Sequence, residues 1–285
     1  MSRTIQRVCV VGAGTMGHGI AQVSAMAGYD VLLLDASREL AEQGLSRLRE
    51  NLEEGVKRQK VSGAERDQTL VRINVGHDAA QAASCDLVIE AVPERIELKQ
   101  SIFRTLEQHI DRTALLATNT SSLSITELQA QLRRPDRFLG LHFFNPVHIN
   151  RLVEVIHSAH TAPATVQSGL EYVHRLGKEA VVVRDSPGFA TSRLGVLLGL
   201  EAMRMVEEGV ASAEDIDKAL ELGYRHPMGP LKLTDLVGLD VRLDIARYLY
   251  EKLGAEQFRP PEILERMVAQ GKLGKKTGEG FYTWN

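Results

Sequence analysis

The sequence has little of what defines several large classes of protein. Among its 285 residues are two cysteines, Cys9 and Cys85, both in apolar runs typical of strands. Such cysteines predict buried thiols and exclude a disulfide framework or a cysteine-rich metal site. No apolar run approaches the ~18 residues needed to span a bilayer. We therefore expect a cytoplasmic protein that uses neither a membrane nor a metal.

An excess of one charge is also missing, and we expect no leader segment. The net charge is −3, and charged residues make up 25% of the chain, as in ordinary globular proteins. This balance gives no sign of a nucleic-acid partner or of a membrane surface. The first apolar run begins at about Ile5, which leaves no room for a signal peptide. The length allows one large domain or two ordinary ones.

A glycine-rich segment after the first apolar run is the clearest local motif. Residues 5–11 predict a buried strand, and the segment GAGTMG, residues 12–17, follows it directly. A helix to about Ala27 and a second strand from Asp30 to Leu34 come next. The second strand leads into Asp35, 18 residues after the last glycine of the motif. A strand, GxGxxG, a helix, a strand and an acid at about this spacing predict a dinucleotide-binding fold.

Each residue of the motif has a physical role in such a fold. Gly12 allows the tight turn, Gly14 lets the backbone approach the pyrophosphate, and Gly17 lets the helix pack against the strand. Thr15 and Met16 lie where the helix begins, so we include them in the cofactor site. Backbone N–H groups at this helix N-terminus would face the phosphates. The alternative is a glycine turn that serves the fold alone.

The acid after the second strand indicates which dinucleotide is bound. Asp35 would accept hydrogen bonds from the adenosine ribose hydroxyls. Its carboxylate repels a 2′-phosphate, so the sequence favours NAD over NADP. Arg38 lies nearby and keeps NADP from being excluded.

Polar residues follow the predicted strands at their carboxyl ends. Further strands are predicted over residues 85–92, 114–118 and 139–142. Glu94 and Ser121 come just after the first two, and His142 ends the third. In an open parallel sheet, ligands bind at this edge, which favours an active site there. Ser121 also fits a simple turn or helix cap.

A histidine and a carboxylate lie in two apolar runs joined by a turn. His142 ends the first run, Asn145-Pro146 follows, and Glu154 lies inside the second run, residues 152–156. If the runs pair as strands, the imidazole and the carboxylate meet. A histidine held by a carboxylate can act as a general base. The alternative is a core histidine satisfied by a carboxylate, which describes most buried pairs of this kind.

The pattern of elements changes near Asp185. Strands and helices alternate before it, including a polar helical region over 38–72. After it only helices are predicted, over 189–208, from Ser212, over 231–253 and over 261–270. We therefore predict an α/β fold. A Rossmann-type, mostly parallel sheet domain spans 1–185, and an all-α C-terminal domain spans 186–285. Apolar faces of the helical part favour a homodimer through it; they include Leu194, Leu197 and Leu198.

A basic group ends the polar segment ENLEEGVKRQK, residues 50–60. It contains Lys57, Arg58 and Lys60. A solvated helix face is the ordinary explanation of such a run. The functional alternative is a hold on an anionic tail of the substrate.

The motifs, taken in order, resemble those of the short-chain L-3-hydroxyacyl-CoA dehydrogenases, particularly the bacterial 3-hydroxybutyryl-CoA dehydrogenases. The resemblance covers nearly the whole chain. The segments that carry it are GAGTMGHGIAQ (12–22), EAVPE (90–94), NTSSLSIT (119–126), GLHFFNPV (140–147), LVEVI (152–156), DSPGF (185–189), HPMGPLKLTDLVGLD (226–240) and GKKTGEGFY (274–282). Such an ordered set is specific for the family.

The resemblance implies an enzyme that oxidises L-3-hydroxyacyl-CoA to 3-ketoacyl-CoA with NAD, usually as a dimer formed through the helical domain. It matches His142 to the catalytic histidine and Glu154 to its acidic partner. It matches Ser121 to the serine that hydrogen-bonds the 3-oxygen of the substrate. Ser192 stands where the family usually has an asparagine that helps place the histidine and the substrate oxygen. A serine there keeps one hydroxyl donor, which we take as an adequate substitute.

The remaining assignments also follow from the resemblance. Glu94 and Lys99 match residues that contact the cofactor on its nicotinamide side, and we place Asn119 in the cofactor site with them. Lys60 aligns with a lysine near the CoA phosphates, and we place Lys57, from the same basic group, there with it. Two alternative functions stay open. One is a dehydrogenase for 3-hydroxyadipyl-CoA or a sugar acid, and the other is an NAD-binding protein with a structural role and no catalysis.

Overall fold

The computed structural model describes residues 4–284 and shows two compact units. One is Met1–Asp185, here called the sheet unit, and the other is Ser186–Asn285, the helical unit. The predicted fold class, a mostly parallel sheet followed by helices, is confirmed. Within the described residues, no helix is both long and apolar enough to cross a membrane.

The sheet unit contains eight strands among its described residues, in the order β3-β2-β1-β4-β5-β6-β7-β8. Strands β3 to β6 of that order are parallel, β7 runs antiparallel to β6, and β8 is parallel to β7. The strands are β1 (Arg7–Val11), β2 (Asp30–Leu34), β3 (Ile73–Gly76), β4 (Leu87–Glu90), β5 (Leu115–Thr118), β6 (Phe138–Phe143), β7 (Leu152–His157) and β8 (Glu179–Arg184).

Helices connect these strands. They are α1 (Gly17–Met26), α2 (Arg38–Lys57), α3 (Gly63–Val71), α4 (Ile96–His109), α5 (Ile125–Gln129) and α6 (Pro163–Arg175), with 3₁₀ turns at Ala79–Ser84 and Pro135–Arg137. Short polar side chains cap several of them. Ser62 accepts a hydrogen bond from the backbone N–H of Glu65, whose side chain returns to the backbone of Ser62.

The apolar runs of the central strands explain why they lie in the middle of the sheet. Val8, Cys9 and Val10 of β1 are fully buried, as are most residues of β4. Parallel strands covered on both faces need such continuous apolar runs. Both cysteines are free and buried, as predicted.

The helical unit consists of five α-helices and two 3₁₀ turns in the part of the chain described. The α-helices are α7 (Thr191–Glu207), α8 (Ala213–Gly223), α9 (Pro230–Val237), α10 (Leu239–Leu253) and α11 (Glu262–Ala269). The 3₁₀ turns are Glu256–Phe258 and Lys275–Thr277. The core comes from one face of each long helix, with Leu200 and Met203 of α7 packed among Leu243 and Leu249 of α10.

Three features differ from the predicted elements. Strand β3 was missed because it is four residues long and directly follows a polar helix. The single helix predicted over 231–253 is two helices, since Gly238 has a φ of 104° and breaks the helical path. Helix α7 begins at Thr191 and not at Phe189, whose φ of 48° is not helical.

A buried aspartate holds the C-terminal segment onto the helical unit. Asp235 accepts hydrogen bonds from the backbone N–H groups of Phe281 and Tyr282, each at 2.9 Å, and from Nε1 of Trp284 at 2.8 Å. Gly280 packs so closely on this carboxylate that an added Cβ would lie 2.3 Å from its Oδ1 atom. The GEGFY segment therefore serves this docking.

We predict that Asp235→Ala releases the C-terminal segment. Three donors lose their acceptor, so the free energy of unfolding should fall by at least about 2 kcal/mol. Trp284 is the only tryptophan of the chain, so its fluorescence reports the change directly. We expect red-shifted emission and a lower urea midpoint. The exposed Asp244 of α10 supplies the control variant, Asp244→Ala. Unchanged emission in Asp235→Ala would contradict this role.

Candidate active site

The histidine and the carboxylate of the two apolar runs meet across neighbouring strands. In the antiparallel pair of β6 and β7, His142 lies directly opposite Glu154. The Nδ1 atom of His142 is 2.7 Å from Oε2 of Glu154. Glu154 is fully buried and His142 is 6% exposed. The prediction that these runs pair as strands and bring the two groups together is confirmed.

Strand pairing explains why this contact is so well defined. Residues directly opposite in an antiparallel pair point to the same face of the sheet. A shift of register by one residue would turn Glu154 to the other face. Because a buried carboxylate without a partner is costly, the hydrogen bond to the imidazole also satisfies Glu154. The ring of Phe144 packs against that of His142, with 4.3 Å between the ring centroids.

Side chains after β4 and β5 lie at the same edge of the sheet as His142. Strands β4, β5 and β6 are parallel neighbours, so their carboxyl ends coincide. Asn119 joins all three, because its N–H donates to the carbonyl of Glu90 at 2.7 Å and its Oδ1 accepts from the N–H of Phe143 at 2.9 Å. Its carboxamide oxygen is therefore used within the protein.

Glu94 organises the loop that carries Ser121. One oxygen of Glu94 accepts hydrogen bonds from the backbone N–H groups of Ser121 at 2.9 Å and Ser122 at 3.2 Å, and also from the hydroxyl of Thr120. Burial raises the pKa of Glu94, but Lys99 and Thr120 outweigh this effect, and the pKa lies below its usual value. An ionised Glu94 thus fixes the position of Ser121.

Lys99 lies beneath this loop with its ammonium group surrounded by protein. It is 1% exposed. Its Nζ atom is 2.6 Å from Oε1 of Glu90, 3.1 Å from Oε2 of Glu94 and 3.3 Å from the carbonyl of Val92. An ammonium has three donors, and three acceptors surround this one. The geometry connects Lys99 to the site through Glu94.

Glu90 is a site residue that sequence reasoning missed. It ends β4, is fully buried, and accepts hydrogen bonds from Lys99, the N–H of Val92 at 2.7 Å and the hydroxyl of Thr118 at 2.7 Å. Burial raises its pKa, an effect that Lys99 opposes. A charged residue at the end of the apolar run CDLVIE was the available signal.

The glycine-rich loop has the form that a dinucleotide requires. Gly12 has a φ of 98°, and an added Cβ would lie 2.8 Å from the carbonyl oxygen of Ala91. At Gly17 an added Cβ would lie 1.6 Å from the carbonyl oxygen of Gly12, so helix and loop approach closely. By contrast, nothing lies within 4 Å of the equivalent position at Gly14, where the surface is open. The loop can therefore receive a pyrophosphate.

A cleft of about 380 Å³ lies beside this loop. Gly12, Asp35, His77, Pro93 and Ile102 are among the residues that border it. The Asp35 carboxylate accepts from the N–H groups of Ala13 and Ala36, both at 2.7 Å, which holds it at the cleft. Apolar walls with one fixed carboxylate suit an adenosine with its ribose hydroxyls.

The other predicted site residues are placed as follows. Thr15 is exposed and Met16 half-buried at the start of α1, beside the loop. Lys57 ends α2, and Lys60 is exposed a few residues further on. Ser192 lies in the first turn of α7, in the helical unit.

Comparison with known proteins identifies the family. The profile described as "3-hydroxyacyl-CoA dehydrogenase, NAD binding domain" matches residues 7–186, and "3-hydroxyacyl-CoA dehydrogenase, C-terminal domain" matches residues 188–284. The chain belongs to the 3-hydroxyacyl-CoA dehydrogenase family. The resemblance drawn from the sequence motifs is therefore confirmed.

Individual members of the 3-hydroxyacyl-CoA dehydrogenase family match along nearly their whole length. A 3-hydroxybutyryl-CoA dehydrogenase of Mycobacterium tuberculosis is 45% identical over 286 residues and covers 100% of both chains. One from Bradyrhizobium diazoefficiens is 42% identical, covering 100% of this chain and 97% of its own. The crystal structure of an (S)-3-hydroxybutyryl-CoA dehydrogenase from Ralstonia eutropha has a TM-score of 0.96 at 38% identity and 99% coverage of each chain.

We predict that Asp35→Asn weakens NADH binding about 10- to 100-fold, because hydrogen bonds to a charged group contribute about 1.5–3 kcal/mol. The preference for NADH over NADPH should shrink as well, since the repelling charge is gone. Fluorescence titrations with NADH and with NADPH measure the affinity and the preference. Asp30→Asn is the control, because Asp30 begins the same strand at the opposite edge of the sheet. Equal losses in the two variants would contradict the ribose role.

Proposed function

We propose that this chain interconverts L-3-hydroxyacyl-CoA and 3-ketoacyl-CoA with NAD(H), and that 3-hydroxybutyryl-CoA is its substrate. Family membership supports the reaction and NAD as the cofactor. The observation that carries the chemistry is the buried hydrogen bond between His142 and Glu154, at the carboxyl edge of a dinucleotide-binding sheet. The names of the two bacterial relatives support the C4 substrate.

In the proposed mechanism His142 moves the proton of the reaction. Bound NAD supplies the hydride acceptor. Nδ1 of His142 donates to Glu154, so Nε2 is the nitrogen that takes the proton from the 3-hydroxyl group. Glu154 orients the ring and stabilises the imidazolium that results. In the reverse direction the imidazolium returns the proton to the 3-oxygen.

Ser121 complements His142 in this proposal. Its hydroxyl would hydrogen-bond the 3-oxygen of the substrate, where negative charge develops during ketone reduction. Glu94 holds the backbone N–H of Ser121, and the distance between its Oε1 and the Ser121 hydroxyl is 3.4 Å. That long contact leaves the hydroxyl able to turn towards a substrate. The backbone of the loop is thus fixed, while the side chain of Ser121 can still rotate.

We assign the remaining recognition to the two basic residues and the helical unit. Lys57 and Lys60 would attract the CoA phosphates, and Ser192 would supply a hydroxyl donor near the reacting oxygen. The helical unit would also form a homodimer. Large exposed apolar residues on α7 and on the following helices support this contact; they include Leu194, Leu198, Leu222, Leu233 and Val237.

We predict that His142→Gln lowers kcat with acetoacetyl-CoA and NADH about 10²- to 10⁴-fold, the usual contribution of a positioned general acid or base. The Kd for NADH should change less than about threefold, because the imidazole acts on the substrate. NADH absorbance measures turnover. His157→Gln, on the same strand as Glu154, is the control and should keep normal activity. Full activity of His142→Gln would refute the mechanism.

Ser192 tests the one departure from the family pattern. We predict that Ser192→Ala lowers kcat, by up to about 10²-fold if its hydroxyl faces the developing oxyanion. Ser192→Asn should keep or raise kcat. Steady-state rates on C4, longer and dicarboxylic acyl-CoA substrates would show both effects. If Ser192→Ala matches the unmodified protein on every substrate, Ser192 has no catalytic role.

A further inference from the structure

Three charged side chains, two of them buried, form a group at the carboxyl end of β4. Glu90 is fully buried, Lys99 is 1% exposed, and the Glu94 side chain is 35% exposed. Lys99 bridges the two carboxylates, with contacts of 2.6 Å to Glu90 and 3.1 Å to Glu94. Two carboxylates and one ammonium leave this group, here called the β4 charge group, with one net negative charge.

The contacts of Glu90 fit its ionised form. Its carboxylate receives hydrogen bonds from Lys99, Val92 and Thr118. The hydroxyl of Thr118 also accepts from the N–H of Thr120 at 3.2 Å, which leaves its own proton for Glu90. The Lys99 ammonium and the N–H of Val92 can only donate, so neither could accept a hydrogen bond from a protonated carboxyl group. Several hydrogen-bond donors therefore stabilise the negative charge of Glu90.

The sheet order indicates which half of a dinucleotide lies above the β4 charge group. Asp35 directly follows β2, which lies on one side of β1, whereas β4 lies on the other side. In a doubly wound sheet the two halves of the dinucleotide lie on opposite sides of the crevice at the switch point. With the adenosine at β2, the nicotinamide half belongs above β4 and β5, where Glu90 and Thr118 end their strands.

The charge of the nicotinamide ring changes in the reaction. The ring is a cation in NAD⁺ and neutral in NADH. A fixed negative charge nearby in a poorly polarisable interior attracts the cation and leaves the neutral form unaffected. We propose that the β4 charge group, through Glu90, sets the relative affinity of the protein for NAD⁺ and NADH. This inference rests on the proposed function only in taking NAD(H) as the ligand.

Glu90 and Lys99 are positioning residues in this account. Lys99 keeps both carboxylates ionised at close range and prevents a larger negative charge. The buried side chain of Glu154 lies at the same edge of the sheet. It stays constant in the variants described next, so only the β4 charge group changes.

The test is the ratio of two dissociation constants in Glu90→Gln, a nearly isosteric change that removes one negative charge. Calorimetry gives the Kd of NAD⁺, and fluorescence titration gives that of NADH. We expect the ratio of the Kd for NAD⁺ to the Kd for NADH to rise about tenfold, the effect of one charge acting over about 12 Å through an effective dielectric constant of about 20. Damage to the shape of the site would weaken the binding of NAD⁺ and of NADH by the same factor and leave the ratio of their Kd values unchanged.

Three further variants complete the test. Glu107→Gln removes another largely buried carboxylate at the far end of α4, and its ratio should stay unchanged. Glu90→Asp keeps the charge and should keep most of the ratio. Glu94→Gln removes a charge from the exposed part of the group and gives the same test if Glu90→Gln does not fold.

An unchanged ratio in a folded Glu90→Gln, or in Glu94→Gln if that protein must stand in for it, would overturn the inference. A rise of similar size in Glu107→Gln would overturn it too. If neither NAD⁺ nor NADH bound to the unmodified protein, the proposed function would fail instead.

Discussion

The pairing of β6 with β7 is the constraint on which the site depends. Strand β7 enters antiparallel beside a row of parallel strands, and its register sets Glu154 opposite His142. A buried carboxylate without a hydrogen-bond partner is costly, so Glu154 needs the imidazole of His142 as a partner. The same hydrogen bond orients the imidazole. The register of two buried strands thereby fixes one cross-strand hydrogen bond, and that bond sets the orientation of the ring that would move a proton.

Charged side chains at the same edge of the sheet form a chain of contacts. Glu90 ends β4 within a ring of donors, and Lys99 connects it to Glu94. Glu94 in turn holds the backbone of the Ser121 loop. Each charged group is satisfied by the next, so the loop after β5 is fixed mainly through its backbone N–H groups, and the Ser121 hydroxyl makes only a long contact of 3.4 Å to Glu94. A site arranged in this way can present polar groups to a ligand from a rigid base.

Much of this could be predicted from the sequence because its signals are local. The GxGxxG segment with Asp35, and the two runs that carry His142 and Glu154, each lie within a short stretch whose periodicity is clear. Strand β3 and the break at Gly238 were missed, since four residues after a polar helix show no period and one glycine only rarely breaks a helix. The role of Glu90 and the burial of Lys99 depend on contacts between elements, which no pattern along the chain displays.

The most direct test of the central claim is the protonation state of the two ring nitrogens of His142. NMR of ¹⁵N-histidine-labelled protein, with the signals assigned by their loss in a variant at position 142, distinguishes the two neutral tautomers among the 9 histidines. We predict a proton on Nδ1, shared with Glu154 and shifted far downfield, and an unprotonated Nε2. A neutral ring with its proton on Nε2 would contradict it, because that nitrogen could not then accept a proton from the substrate.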